Sequence, residues 1–469
     1  MSPRLDSDSA CGEAIDLDRR HVWHPFTPLD GWLDPGYEPV MIASGRGTVL
    51  TDTAGRDYLD GNSSIWTNLH GHGHPKLTQA LKDQLDRIAH SSYLGLAHES
   101  GARLAGELCR RAGFDPGRVF YSDDGSTAIE AALKIAFQYF RQNGAPERTT
   151  FISLGGGYHG DTVGAMSVGR SEAFHGAYRP LLFPTEAAMS PGCYRCPYNR
   201  AEPEAADART YRQCDWECLG ELEQKLDAVG PRLAGFVAEP RVQGAAGMVM
   251  HPHGYLEKAA ALVREKGGLV IVDEVLTGFG RTGTLFAAEA EGVAPDLMAL
   301  AKGLTGGYLP MGATLVRESV VDGFRGGLER TFFHGHSYTG NQLGCAAALA
   351  NLEIFDEEKT LQRIGQQAEV LRRAGEAFWK FPQVGDVRQE GTILAVELVR
   401  DRATREPFAA ADRLAHRINE EARHLGLLTR GLGATLFLLP PYCATDGELE
   451  RMIDILLRAT GTILGQIGR

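Results

Sequence analysis

No run of this chain approaches the roughly 18 consecutive apolar residues that cross a bilayer. Its first 20 residues are polar and carry no apolar signal-peptide core. Basic charge is scarce: 48 Lys and Arg against 60 Asp and Glu leave a net charge of −12. What basic residues there are stand singly or in pairs, as at Arg19-Arg20 and Arg372-Arg373, and not in the patch that nucleic acid requires. Eight cysteines in 469 residues are too few for a disulfide scaffold. No repeat of fixed period is present, which excludes a solenoid or propeller. These absences predict a cytoplasmic protein with neither a membrane nor a nucleic-acid partner.

Glycine, in contrast, is plentiful, with 57 residues gathered at particular turns. Such clusters mark places where backbone must approach something closely. Residues 48–51 and 57–59 flank a turn-rich stretch and predict a hairpin. Helical periodicity covers 76–89 and 98–112. From there strands over 118–121, 150–154, 233–239 and 268–273 alternate with helices over 128–142 and 254–266. Alternation of this kind signals a parallel sheet wrapped by helices. The unbroken apolar run 269–272 fits burial on both faces. A helix over 345–355 and strands over 392–398 and 435–439 predict a smaller α+β unit. The expected fold class is therefore α/β, with a large, mostly parallel central sheet. Segment 1–75 contributes to the small domain, 76–344 forms the large one with a cysteine-bearing insertion near 190–218, and 345–469 completes the small domain.

The chemistry-bearing residues fall at the ends of these elements. Asp273 closes the apolar strand 268–273, where open α/β sheets bind ligands. A carboxylate there can pair with a protonated ring nitrogen, although it can equally cap the next turn. Lys302 follows the apolar run 297–301 and precedes Gly303, Gly306 and Gly307. Burial lowers an amine's pKa, and the neutral amine is the form that condenses with a carbonyl; a Lys that snorkels to water is the competing reading. Gly125 and Ser126, between a strand and a helix, suit a phosphate at a helix N-terminus, or form an ordinary cap. Tyr158 offers a flat face on a glycine-rich turn, for stacking on a ring or for the core. Together these supply the parts of a pyridoxal 5'-phosphate (PLP) site.

These strings resemble the class III aminotransferases of PLP fold type I, over nearly the whole chain. The stretch 272–283, with Asp273, Thr277, Gly278, Arg281 and Gly283, resembles the hallmark of that class, and Lys302 lies at the expected distance. By that resemblance Lys302 and Asp273 are catalytic, and Gln243, in 239–247, sits near the ring hydroxyl of the cofactor. Gly335, His336 and Ser337, in 334–341, reach across a homodimer interface to the neighbouring subunit's phosphate. Trp23-His24-Pro25-Phe26-Thr27, the 60–75 segment and Thr429-Arg430 resemble the biotin-pathway branch. The resemblance implies 8-amino-7-oxononanoate as keto substrate, with Arg430 holding its carboxylate and Phe26, Ile65, Trp66, Tyr158 and Gly335 lining its pocket. Phe26 and Ile65 replace a Tyr and a Trp of the members that use S-adenosylmethionine as amino donor. The same replacements resemble a branch that uses lysine.

Cys193, Cys196, Cys214 and Cys218 form two close pairs that read either as a structural zinc or redox clip or as free thiols in a surface insertion. Two rival functions remain. One is another class III enzyme acting on an ω-amino acid. The other is a non-catalytic PLP-fold regulator, against which the presence of Lys302, Asp273 and the phosphate segment together argues. A nucleotide enzyme lacks its P-loop lysine here.

Overall fold

The computed structural model describes residues 7–467; the first six residues of the 1–75 segment lie outside the described residues. Three N-terminal strands, β1 (Ile42–Arg46), β2 (Val49–Asp52) and β3 (Asp57–Asp60), form an antiparallel set, with the expected hairpin between β2 and β3. The middle of the chain carries β4 (Gly117–Ser122), β5 (Thr150–Leu154), β6 (Glu186–Ala188) and β7 (Leu233–Ala238). A two-stranded ribbon, β8 (Val242–Gln243) with β9 (Val249–Met250), precedes β10 (Leu269–Asp273), β11 (Leu297–Leu300) and β12 (Gly312–Arg317). The C-terminal strands are β13 (Val384–Glu390), β14 (Ile393–Asp401), β15 (Glu406–Pro407), β16 (Leu427–Leu428), β17 (Arg430–Leu432) and β18 (Thr435–Leu438).

The central sheet runs β4-β12-β11-β10-β7-β5-β6. Only β12 is antiparallel to its neighbours, so the sheet is mostly parallel as expected. Its strands alternate between two buried faces. Val270 and Val272 of β10 point into one apolar cluster, while Leu269 and Ile271 join the helix Gly125–Gln142 in another. That two-sided burial explains the unbroken apolar run. The helix starts three residues before its periodic stretch, because the Asp124 side chain accepts from Thr127 N–H and closes a capping box. Of the central strands, sequence reading missed β6, β11 and β12; β6 has three residues, β11 was read only as the apolar run before Lys302, and β12 lacks a turn signal distinguishing it from the glycine-rich loop before it.

The C-terminal part packs β13, β14, β17 and β18 against the helices Leu414–His424 and Asp446–Ile467. The chain's two ends meet at β3 and β16, which pair in parallel through Leu59 and Leu427. Consequently the segment after β3 lies beside Leu438 and Leu439 and faces the carboxyl ends of the central strands. No helix among the described residues is long and apolar enough to cross a membrane.

Candidate active site

The carboxyl ends of β4, β7, β10 and β11 open on a cavity of about 670 Å³. Seven of the residues singled out from sequence line it: Ile65, Trp66, Gly125, Ser126, Tyr158, Asp273 and Lys302. Lys302 follows β11 after one residue and has a positive φ of 45°, held by the tight turn Lys302–Thr305. Its amine stands 4.6 Å from the centre of the Trp66 ring. Burial pushes the Lys302 pKa below the ordinary lysine range, helped by the Arg281 charge and opposed by Asp273 and Glu239.

Asp273 ends β10 and is 4% exposed. Its Oδ1 accepts from Val275 N–H at 3.0 Å, and its Oδ2 lies 2.7 Å from His159 Nδ1. Burial works against a charge on His159, yet the bond to Asp273 and the charges of Asp273 and Glu239 raise its pKa overall. Glu239, just past the end of β7, accepts from the N–H groups of Tyr158 and Gly244. Burial lifts its carboxyl to about 7. Sequence reading did not single out His159 or Glu239, although Glu239 carries the same signal as Asp273, an acid at the end of an apolar strand.

Tyr158 donates to Asp161 at 2.7 Å and stacks on His175, with centroids 5.4 Å apart. Burial, and then Asp161, raise its hydroxyl pKa. At the first turn of the helix Gly125–Gln142, Gly125 and Ser126 present backbone N–H groups with no partner among the described residues. A side chain at Gly125 would strike Val275, and one at Gly160 would strike Ser126. The Ser126 hydroxyl itself accepts from the N–H groups of Asp161 and Thr162, which binds the Tyr158 turn to the helix start.

The remaining expected residues do not line the cavity. Gln243 is fully buried, its amide engaged by Ser190 and by the Gly155 carbonyl. Phe26 meets Phe174 edge-on, which in turn meets Tyr158. Arg430 sits on β17 opposite Phe437, whose ring contacts Trp66. His336 Nδ1 lies 3.5 Å from Asp123, next to the phosphate-type turn, while the Ser337 carbonyl meets His90 Nε2 at 2.9 Å and Gly335 faces Thr339. Arg281, part of the quoted motif but given no role, is fully buried with its Nε and Nη2 unpartnered among the described residues.

A buried lysine facing an Asp–His pair, with bare helix N–H groups across the cavity, fits the ring and phosphate of pyridoxal phosphate. The unpartnered, buried His159 Nε2 marks room for such a group. Fold and site together define a PLP-dependent transaminase of fold type I. The family model described as aminotransferase class-III matches residues 33–460, and the chain belongs to that family. It is 49% identical, over 93% of its length and 79% of the relative's, to the adenosylmethionine-8-amino-7-oxononanoate aminotransferase of Nitratidesulfovibrio vulgaris. The crystal structure of the Methanocaldococcus jannaschii enzyme of the same name superposes with a TM-score of 0.89 at 36% identity, covering 96% of this chain and 99% of that one. An amine transaminase from an uncultivated Pseudomonas species, in its PLP-bound form, superposes with a TM-score of 0.86 at 34% identity, covering 94% and 98%.

The zinc reading of Cys193, Cys196, Cys214 and Cys218 needs correction. Among the described residues no group of three or more His, Cys, Asp or Glu side chains is placed to hold a metal ion. All four are free thiols, and burial, with the neighbouring thiols, holds Cys193 up at about 12 and Cys218 at about 11. Arg212, stacked on Trp216, lies 2.9 Å from the Cys214 sulfur.

Proposed function

We propose that the protein aminates 8-amino-7-oxononanoate to 7,8-diaminononanoate, the transamination step of biotin synthesis, with lysine or S-adenosylmethionine as donor. The observation that carries the chemistry is the buried Lys302 amine sharing one cavity with Asp273. Bound pyridoxal phosphate supplies an electron sink for the carbon that loses its proton. Lys302 holds the cofactor and, once released, carries a proton between the substrate carbon and the cofactor. Burial, which lowers its pKa, favours the neutral amine that accepts such a proton. Asp273, oriented by His159, keeps the ring nitrogen charged. Gly125 and Ser126, joined by His336 and Ser337 across a homodimer interface, hold the phosphate.

Trp66, Ile65 and Tyr158 wall the cavity and exclude water, an apolar trough suited to a long aliphatic acid. Arg430 binds the far carboxylate, for which a guanidinium fork is matched, and Gly335 and Phe26 complete the pocket. Gln243 lies on the side of the cofactor's ring hydroxyl, its amide held by Ser190 and the Gly155 carbonyl. The relatives' names support the keto substrate and name adenosylmethionine for those proteins, whereas Phe26 and Ile65 favour lysine here. We place the protein in the cytoplasm, with domain limits near 75 and 344.

The test mixes cofactor-loaded protein separately with lysine and with S-adenosylmethionine and follows the visible absorbance of the cofactor. Bleaching by one donor, with recovery on adding 8-amino-7-oxononanoate, is the expected result and identifies that donor. Bleaching without recovery overturns the keto substrate. No change with any amine overturns the transaminase chemistry.

A further inference from the structure

The wall residues Ile65 and Trp66 stand on a turn that the backbone resists. Ser63, Ser64 and Trp66 all have positive φ, at 46°, 60° and 68°. Ser64, with ψ −86°, sits close to the strained γ-turn conformation. None of the three is glycine, so surrounding bonds must impose this shape. They converge on Asp60, which is 1% exposed. Its carboxylate accepts from Asn62 N–H at 3.1 Å and from Ser64 N–H at 2.8 and 3.0 Å. His72 Nε2 lies 2.9 Å from Asp60 Oδ2, and Asn68 fixes the other His72 nitrogen at 2.9 Å. The turn is further tied by the Ser63 hydroxyl to Leu439 O at 2.7 Å and by the Trp66 indole to Asn62 Oδ1 at 2.8 Å.

We propose that Asp60, oriented by His72 and Asn68, is a positioning residue that holds the strained turn 62–66 and thereby fixes Trp66 over Lys302 and Ile65 at the cavity wall. This deepens the substrate-site reading of the cavity and rests on it. Asp60 touches neither the cavity nor the cofactor pocket, so its effect runs through the wall. Two residues of the wall carry the contact to whatever chain occupies the trough. Loss of the carboxylate therefore lowers affinity for amine and keto acid while the lysine, its Asp273 partner and the phosphate turn stay in place.

The experiment compares cofactor-loaded wild type, Asp60→Asn and Asp60→Asn/Ser64→Gly. Amide exchange at 62–64 is expected to quicken in Asp60→Asn, with the cofactor absorbance retained. KM for the keto acid is expected to rise about 10-fold while kcat changes little, the mark of lost uniform binding. Glycine adopts the Ser64 conformation without strain, so Ser64→Gly in the same chain should recover part of the KM. Unchanged exchange at 62–64 overturns the proposal, as does faster exchange with unchanged KM. Parallel loss of cofactor absorbance and activity also overturns it, because that is a folding role. Should wild type fail to aminate 8-amino-7-oxononanoate, the substrate reading falls alone, and the exchange comparison still decides the part played by Asp60.

Discussion

Two regions of this molecule bury positive charge, and they treat it in opposite ways. Beneath the cysteine-bearing insertion, Arg388 uses every nitrogen of its guanidinium. Its Nη1 bonds Asp386 and Glu397 at 2.9 and 2.8 Å, and its Nε and Nη2 donate to the Met248 and Gly247 carbonyls at 2.7 and 2.6 Å. Arg209 is similarly engaged by Asp207, Glu390 and the Gln389 carbonyl. In the cavity, by contrast, Lys302 makes no hydrogen bond or ion pair among the described residues. Arg281, buried but not lining the cavity, donates only from Nη1 among the described residues, to the carbonyls of Leu439 and Pro440. A buried charge without a hydrogen-bonded partner is costly, so Lys302 and Arg281 are kept at the expense of stability. The network under the insertion clamps β13 and β14 to the β8–β9 ribbon. It spends its charges on structure, whereas the cavity holds its own in reserve for a ligand.

If that contrast is sound, the largest effect belongs to Lys302. Lys302→Ala should lower turnover by at least about 10³-fold, since it removes both the cofactor anchor and the proton carrier. Thermal unfolding of the apo-protein should be unchanged or shifted upward, because an unpartnered buried amine has gone. A fall in Tm comparable to that of a core truncation would break the comparison. Arg388→Ala should do the reverse. It strands Asp386 without a counter-charge and leaves Glu397 with Arg195 alone, and stranding a buried charge typically costs about 3–5 kcal/mol of stability. Denaturant titration would read that loss. The molecules that remain folded should still respond to donor with a normal kcat. An unchanged midpoint would show that the network is not structural.

How much of this was legible beforehand depends on where each residue takes its meaning. Asp273 and Lys302 were legible because local sequence declares them: an apolar strand with an acidic end, and a lysine wedged between an apolar run and glycines. The parallel sheet was legible in part for the same reason, since the strands 118–121 and 233–239 are each followed by a helix of clear period. Asp60 was not, because its role lies in a strained turn that only tertiary bonds from His72 and Leu439 impose. The Arg388 network was hidden too, since a charged residue in a strand ordinarily reads as solvent-facing. The four cysteines misled through spacing alone. Nothing in two close pairs declares that burial will raise the Cys193 and Cys218 pKa values or that Arg212 will approach Cys214.

Arg430 gives the finer test of the same contrast. It sits at the exposed start of β17 with no ion pair among the described residues, and partial desolvation lowers its pKa below the usual arginine value. By its lack of a carboxylate it belongs with Lys302 and Arg281, and not with Arg388. Its neighbour across the strand pair, Phe437, meets the cavity-wall ring of Trp66 edge-on, which puts β17 on the Trp66 side of the cavity. Arg430→Ala should therefore leave Tm within about 2 °C of wild type, the size expected for a position without a partner to strand. KM for the keto acid should rise about 10-fold or more, since a charge-assisted bidentate contact is lost equally from bound substrate and transition state. Arg430→Lys should recover only part of this, because an ammonium cannot offer the planar fork. A Tm loss as large as that of Arg388→Ala, with KM unchanged, would move Arg430 into the structural group and leave the substrate carboxylate to Arg281, a buried guanidinium with free donors.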